Sequence, residues 1–548
     1  MAARVHAVSS RRAFLGAGAA LLAAACGPKT KAPPGDLHFV DHTLGHRLRD
    51  GGLPAASETR RRKVVIVGGG IAGLSAAWRL RRAGFEDFEI LELEAHAGGN
   101  AHAARSAVTA FPWGAHYVSL PTREARACRL LLAELGVLHG DVDAPRPTYE
   151  ERALVHAPQE RLYRNGTWEE GLSPVAGASA EALAQWRRFL DRMRAYGELR
   201  GKDGRRAFAI PVDFSSRDSA LVALDRTTMD AWLRAEGFTA EPVHWLVDYA
   251  CRDDYGTDYR QTSAWAGIHY FAARAQTHAE GEPDTVLTWP EGNGFVVRSL
   301  MERHRFPLTA RALVHRLEEE PGGATVHAYL ASEKRTVALR CEQVVWAAPL
   351  PFAARALGGG DLASALRRFG HAPWVIANLH LSEPPYAHHG APLAWDNVIH
   401  DSRSLGYVVA THQGLRTLPG PTVLTWYLPL AGDDPAAGRR RLLDTPRERW
   451  AEAVLADLAR PHPEIRSITQ RVDVMANGHA MVRPVPGLIF GEPRRRVTSH
   501  RGRVHFAHAD ASGISIFEEA NDRGVACAEA VLAAMGQKVE TFRGNERT

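Results

Sequence analysis

The chain has 548 residues, 45% of them hydrophobic and 24% charged, with a formal net charge of +5 and a sequence pI near 9.0. This balance excludes a disordered chain and leaves length for two or more domains around a sizeable core. The positive surplus comes from scattered arginines with no basic stripe interleaved with aromatics, so nucleic acid is not an expected partner.

In chain order, residues 9–27, SSRRAFLGAGAALLAAACG, place Arg11 and Arg12 before an uncharged, small and apolar run that ends at Cys26. Basic start, apolar middle and small-residue end are the parts of an export signal, and the run is shorter than the roughly 20 residues a bilayer span needs. The pattern resembles a twin-arginine signal. That implies passage of a folded protein through the twin-arginine machinery to the periplasm, or at least beyond the cytoplasmic membrane. Residues 22–26 are also similar to a bacterial lipoprotein cleavage site, with a lipid on Cys26 as the membrane tether, although Ala23 stands where that pattern favours Leu. Residues 27–62, rich in Pro, Gly and charge, read as a linker.

At Lys63 the texture changes. KVVIVGGG is a β-branched run ending in glycines, LSAAWRLRRAG has helical spacing, and FEILELE is a second strand, which together make a βαβ unit. Gly68, Gly70 and Gly73 form G-x-G-x-x-G between the first strand and its helix, with Ile71 and Ala72 in the first helical turn. Glycines there permit the tight turn and the backbone's approach to a pyrophosphate, and the helix N-terminus offers N–H groups to its oxygens. Glu92 ends the second strand where an acid would take the ribose hydroxyls, with Glu94 as its competitor.

The sequence beyond Glu92 selects between dinucleotides. Gly98 and Gly99 follow it by six and seven residues, and this spacing resembles the flavin-containing amine oxidase superfamily, closest in motif style to its protoporphyrinogen oxidase and phytoene desaturase branches. FPWGAHYV is similar to that family's next flavin-facing segment, with Trp113, Gly114 and Ala115 near the ring. ALVHRL resembles the strand whose Val314 backbone meets adenine, and GHAMVRPVPG the segment over the flavin. GRVHFAHAD and EEANDRGVACAEAVL resemble the last strand and closing helix, with Asp510, Glu518 and Ala520 at cofactor-contacting positions. The resemblance implies noncovalent FAD and an α/β fold of two domains: a Rossmann-like FAD-binding domain of the glutathione reductase type and a mixed α+β substrate domain. The boundaries drawn are 63–135, 281–360 and 496–536 for the FAD-binding parts, 136–280 (mainly helical) and 361–495 for the substrate parts, and 537–548 as a tail.

Asn100 replaces the arginine usual after the glycine pair, and GGNA with GAH is similar to UDP-galactopyranose mutase. Between Lys202 and Lys538 the only lysine is Lys334, whereas amine oxidases of this type hold a water near the flavin with one. The flavin carries the difficult step, so few protein acids or bases are required. His116, following Gly114 and Ala115, is the candidate for a group at the ring; a packed core histidine is the alternative. Trp426, Tyr427, His479, Met481 and Arg483 are candidates for the substrate pocket, although a strand alternating aromatic and aliphatic residues is equally the pattern of a core. Cys128, Cys251, Cys341 and Cys527 are expected as buried free thiols, and no metal site is expected. The function implied is an exported FAD-dependent oxidoreductase that oxidises a C–N or C–C bond of a small molecule by hydride transfer, with dioxygen or a quinone as electron acceptor. A flavin-dependent mutase or isomerase and a flavin-binding protein that has lost turnover are the alternatives.

Overall fold

The computed structural model describes residues 32–274, 285–414 and 418–544. The export signal and Cys26 lie outside the described residues. One sheet is parallel and five-stranded, in the order Leu308–Thr309, Phe88–Leu91, Val64–Val67, Gln343–Trp346 and Val504–Phe506. Val64–Val67 is buried at every position because both of its faces are covered. On one face lie the helices Ile71–Arg82 and Phe517–Ala534, and on the other a four-stranded sheet of Ala312–Glu320, Gly323–Leu330, Arg335–Cys341 and Ala56–Arg61. Gly524 lets the two helices touch, since a Cβ there would lie 2.2 Å from the Ala72 carbonyl oxygen.

The second sheet has eight strands, in the order Leu37–Phe39, Thr469–Val482, His371–Leu381, Thr422–Pro429, Tyr407–Val409, Asp396–Ile399, Glu160–Arg164 and Thr167–Glu170. Its outer face packs on the helix Arg447–Leu458 through Trp426, Leu424 and Val474, and its inner face presents Tyr427, Ile376 and Val398. A helical layer, including Ala180–Glu198, Glu241–Tyr255 and Ala264–Ala272, has its own core of Phe189, Phe208, Trp265 and their neighbours.

Two sequence expectations are corrected. Within the expected linker, residues 37–61 form a strand of the eight-stranded sheet, the helix His42–Asp50 and the strand Ala56–Arg61. The last of these, ASETRR, is charged because it is an edge strand with half its surface in water. The stretch expected to be mainly helical holds Ala180–Glu198, Glu241–Tyr255 and Ala264–Ala272, and it also contributes Glu160–Arg164 and Thr167–Glu170 to the eight-stranded sheet. The expected tail docks in part: Phe542 packs on Trp78 at a centroid distance of 5.4 Å, and Arg79 donates to the Glu540 carbonyl at 2.7 Å. Cys128, Cys251, Cys341 and Cys527 are free and buried. No described helix is long and apolar enough to cross a membrane.

The closing helix buries an acid at a cost that depends on pH. Glu519 is fully buried, accepts the Val212 N–H at 2.6 Å, and is pushed up to about 8 by desolvation. An unfolded glutamate titrates near 4.3, so between that pH and about 8 the folded state holds the extra proton. Stability contributed by this group is therefore complete at low pH and is lost as pH rises through that window. Glu519→Gln keeps the acceptor and removes the charge. The variant is expected to lose less thermal midpoint than the parent between pH 6 and pH 8.5, as read by circular dichroism; equal losses would refute the assignment.

Candidate functional site

The glycine loop closes on itself by contact. A Cβ on Gly73 would lie 1.9 Å from the Gly68 carbonyl oxygen, and one on Gly68, at φ +103°, would lie 2.9 Å from the Ala347 carbonyl carbon. Gly70 differs: its nearest neighbours are Gly99 Cα and Gly98 O at about the van der Waals limit, 3.9 and 4.0 Å. Gly70 pairs with Gly98 in an isolated bridge, and Gly98 N–H donates to Gly69 O at 2.9 Å, so the two glycine segments form one backbone surface.

Ile71 and Ala72 begin a helix that has no side-chain cap, and the helix starting at Phe517 has none either. Ser75 meets Asn521 at 3.0 Å and Arg79 meets Glu529 at 3.0 Å, so the two helices run in the same direction and their uncapped N-termini lie at the same end. Two positive dipole ends beside a glycine surface suit a pyrophosphate. Glu92 is buried, accepts the Gly69 N–H at 2.5 Å and the Glu94 N–H at 2.8 Å, and is raised by desolvation. Its competitor Glu94 accepts the Asp41 N–H at 2.7 Å, pushed up to about 7 by burial. Val314 is buried in its strand beside a register irregularity between Val314 and Arg316. These features fit the adenosine diphosphate portion of a dinucleotide.

Asn100 joins this cleft to the second sheet. Its carbonyl accepts the Ala115 N–H at 2.8 Å, its Nδ2 donates to Ala480 O at 2.5 Å, and its Oδ1 accepts from Asn477 at 3.0 Å. Gly114 must be glycine, since a Cβ would meet the Asn100 oxygen at 2.4 Å. Trp113 is anchored by its N–H to His102 O at 2.9 Å.

Beyond Ala115 lies a cluster of aromatic side chains, called the chamber below. His116 stacks on Tyr427 with centroids 4.8 Å apart, with Tyr117 at 5.1 Å and Trp395 at 5.5 Å, and Tyr427 donates its hydroxyl to Gly114 O at 2.9 Å. Burial holds His116 down to about 4, so the imidazole is neutral at pH 7. The same chamber collects carboxyl groups. Asp396 follows Trp395 and lies in register with Glu160 on the neighbouring parallel strand, while Asp253 and Asp254 come from the helix Glu241–Tyr255. Burial, with the field of Asp253 and Glu160, raises Asp396, although the Asn397 amide and the Tyr249 hydroxyl bond to it. Burial and Asp254 push Asp253 up to about 7. Arg274 pairs with Asp254 at 2.7 Å. The charges of Asp253 and Asp396 both act on Tyr249 and Tyr427.

Several expected residues stand elsewhere. Trp426 faces the outer side of the sheet, bonded through Nε1 to Asp457 at 2.9 Å, because adjacent strand residues must point to opposite faces. Asp510 is wholly buried, held by the Leu350 N–H at 2.9 Å and by His371 and His508, so it braces the start of the helix Leu350–Ala356 and has no surface on the cleft. Glu518 is buried near the Ser119 backbone and raised to about 7; only Ala520 of that pair is half-exposed. His479 lies beside Phe352 and His371 at 5.2 and 5.8 Å, lowered to about 3 by burial, whereas Met481 packs on the inner-face cluster with Tyr427 and Trp395, on the side where it was expected. Arg483 is bonded to Gln261. Sequence reasoning missed Glu160, Asp253, Asp254 and Asp396; the acidic pair in CRDDYGTDY was the available signal. Among the described residues, Asp36, His38 and Asp473 have potential ligand atoms within 4.8 Å of one another, but Arg471 already bridges the two aspartates.

Residues 66–135 match the family model of the NAD(P)-binding Rossmann-like domain. The peroxisomal N(1)-acetyl-spermine/spermidine oxidase of Bos taurus is 39% identical over 77 residues, 14% of this chain and 15% of that protein. The 1-hydroxycarotenoid 3,4-desaturase of a Flavobacterium is 31% identical over 123 residues, 22% of each. The chain thus matches less than a quarter of the length of these relatives. Among solved structures, putrescine oxidase bound to putrescine aligns over 87% of this chain and 100% of its own, with a TM-score of 0.60 and 18% identity. Cyclohexylamine oxidase from Brevibacterium oxydans aligns over the same shares, with a TM-score of 0.63 and 15% identity. The chain therefore has the two-domain α/β fold of the amine oxidases, with a Rossmann-like dinucleotide domain.

The space at Gly70 makes a clean test of the cleft. Gly70→Asp fits sterically but places a carboxylate where the dinucleotide phosphates would lie. The purified variant is expected to fold as the parent does by circular dichroism and to lose its visible flavin absorbance; undiminished flavin content would refute the placement.

Proposed function

We propose that the protein is an exported FAD-dependent oxidoreductase that oxidises the C–N bond of a small cationic amine, with dioxygen or a quinone as the electron acceptor. The observation that carries the amine reading is the pair of buried carboxyl groups Asp253 and Asp396, set against the aromatic cluster of Tyr427, Trp395 and His116 next to Gly114 and Ala115. Aromatic faces and carboxylates both favour a cation, and a neutral hydrocarbon would gain nothing from buried acids.

FAD in the glycine cleft supplies a hydride acceptor. Gly70, Gly98, Gly99 and the N-terminus at Ile71 hold its phosphates, Glu92 takes the ribose, and Gly114 and Ala115 let backbone approach the ring. Asp253 and Asp396 draw the substrate's ammonium into the chamber, while Tyr427 and Trp395 confine it. Tyr117, Tyr249 and Tyr427 stay protonated because burial raises all three. His116, held at about 4, is too weak a base to deprotonate an ammonium at neutral pH; it orients the substrate against Tyr427. Lys334 lies in an exposed turn and takes no part.

Anaerobic addition of amines is expected to bleach the flavin band, and uncharged analogues of the same shape are not. Below about pH 7 Asp253 carries a proton, and above it the group offers a charge to the substrate. The KM for a cationic amine is therefore expected to fall as pH rises from 6 to 8. Asp253→Asn should flatten that fall and raise KM at pH 8 about tenfold, about 1.4 kcal/mol of binding; an unchanged KM profile would sink the amine reading. Export rests on Arg11 and Arg12 before the apolar run. Changing both to Lys is expected to leave the protein in the cytoplasmic fraction, and normal export of that variant would rule out the twin-arginine route.

A further inference from the structure

Residues 36–50 run from the eight-stranded sheet to the strand ends of the Rossmann-like domain and touch both. At one end, Leu37–Phe39 pairs in parallel with Val474, Met475 and Ala476, Asp36 N–H donates to Asp473 Oδ1 at 2.8 Å, and Arg471 bridges both aspartates. His38 lies against Trp113, one residue before Gly114, with ring centroids 5.0 Å apart. At the other end, Asp41 caps the helix His42–Asp50 by accepting the Leu44 N–H at 2.9 Å. The Asp41 N–H donates to Glu94 at 2.7 Å, and its carboxylate pairs with Arg311 at 3.1 Å. Leu44, 5% exposed, packs with Leu313 and Tyr329, and a Cβ on Gly45 would lie 3.6 Å from the Leu93 side chain. Leu93 follows Glu92 and Leu313 precedes Val314, the two positions assigned to the ribose and the adenine.

We propose that residues 36–50 are a retaining strap for the dinucleotide: they close its adenosine end, and the cofactor leaves only after the strap has lifted. The proposal rests on the reading of the glycine cleft as an FAD site. The strap's hold is weaker than that of the elements beneath it. Its hold comprises a three-residue strand pairing, the ion pairs of Arg471 with Asp36 and Asp473, the bonds of Asp41 to Glu94 and Arg311, and Arg47 over the Tyr329 ring at 4.2 Å, but Leu44 is the one buried side chain among residues 36–50, and a segment that buries so little apolar surface opens locally before the whole unfolds. Its far end runs into Gly51 and Gly52, both exposed, at φ +75° and +71°.

The test uses the full-length protein loaded with FAD and follows recovery of free-flavin fluorescence after dilution. Two changes lift the strap by different means: Leu44→Asp, and a protease site inserted between Gly51 and Gly52 and cut after loading. Both proteins are expected to show the parent's flavin spectrum when freshly loaded and to release FAD at least tenfold faster. Release at the parent rate from both would overturn the proposal. So would fast release from Leu44→Asp alone with a lowered global unfolding midpoint, since that reports general destabilisation. A parent protein that neither carries nor takes up FAD would overturn the cofactor reading, and the strap with it.

Discussion

Asn100 is the residue on which the two halves of the molecule meet. Its backbone oxygen fixes Ala115 and leaves no room for a side chain at Gly114, while its side-chain amide reaches Ala480 and Asn477 on the long strand of the eight-stranded sheet. The glycine pair at Gly98 and Gly99, the segment at Gly114 and Ala115 and the long strand of the eight-stranded sheet are thereby held by one residue, through its backbone on one side and its side chain on the other. An arginine there would carry a charge toward the phosphates; the amide instead satisfies a backbone carbonyl and a second amide across the domains. Positive potential beside the glycine surface comes instead from the two uncapped helix ends.

The chamber is built on the opposite electrostatic principle. Burial raises its carboxyl groups and phenols alike, so at neutral pH part of the acid surplus is stored as protons. On the proposed amine reading, a cation would displace such a proton or pair with the carboxylate that remains, and the aromatic rings would exclude the water that screens either interaction. The acids sit on two paired strands and a long helix, which fixes their positions.

What could be read from the sequence was whatever is contiguous. The loop from Gly68 to Gly73 and the acid at Glu92 carry their geometry in local spacing, because the turn, the helix start and the strand end are neighbours in the chain. The chamber is assembled by strand pairing: Glu160 meets Asp396 only through the register of two strands far apart in sequence, which no local pattern encodes. Adjacent candidates misled for the same reason, since Trp426 and Tyr427 cannot face the same way in a strand. Asp510 held its motif position, but packing turned it toward Leu350 and His371. The polar stretch before Lys63 looked like a linker because an edge strand and a one-sided helix bury few residues each.

The first strand described also sets a leash. Cys26 and Asp36 are separated by ten residues, which fully extended reach at most about 35 Å. Leu37–Phe39 is the edge strand of the eight-stranded sheet and the beginning of the proposed strap. A lipid on Cys26 would therefore hold this edge of the molecule near the bilayer surface. The membrane would then restrict which way the molecule can turn, so that tethering would govern the direction from which substrate and electron acceptor arrive.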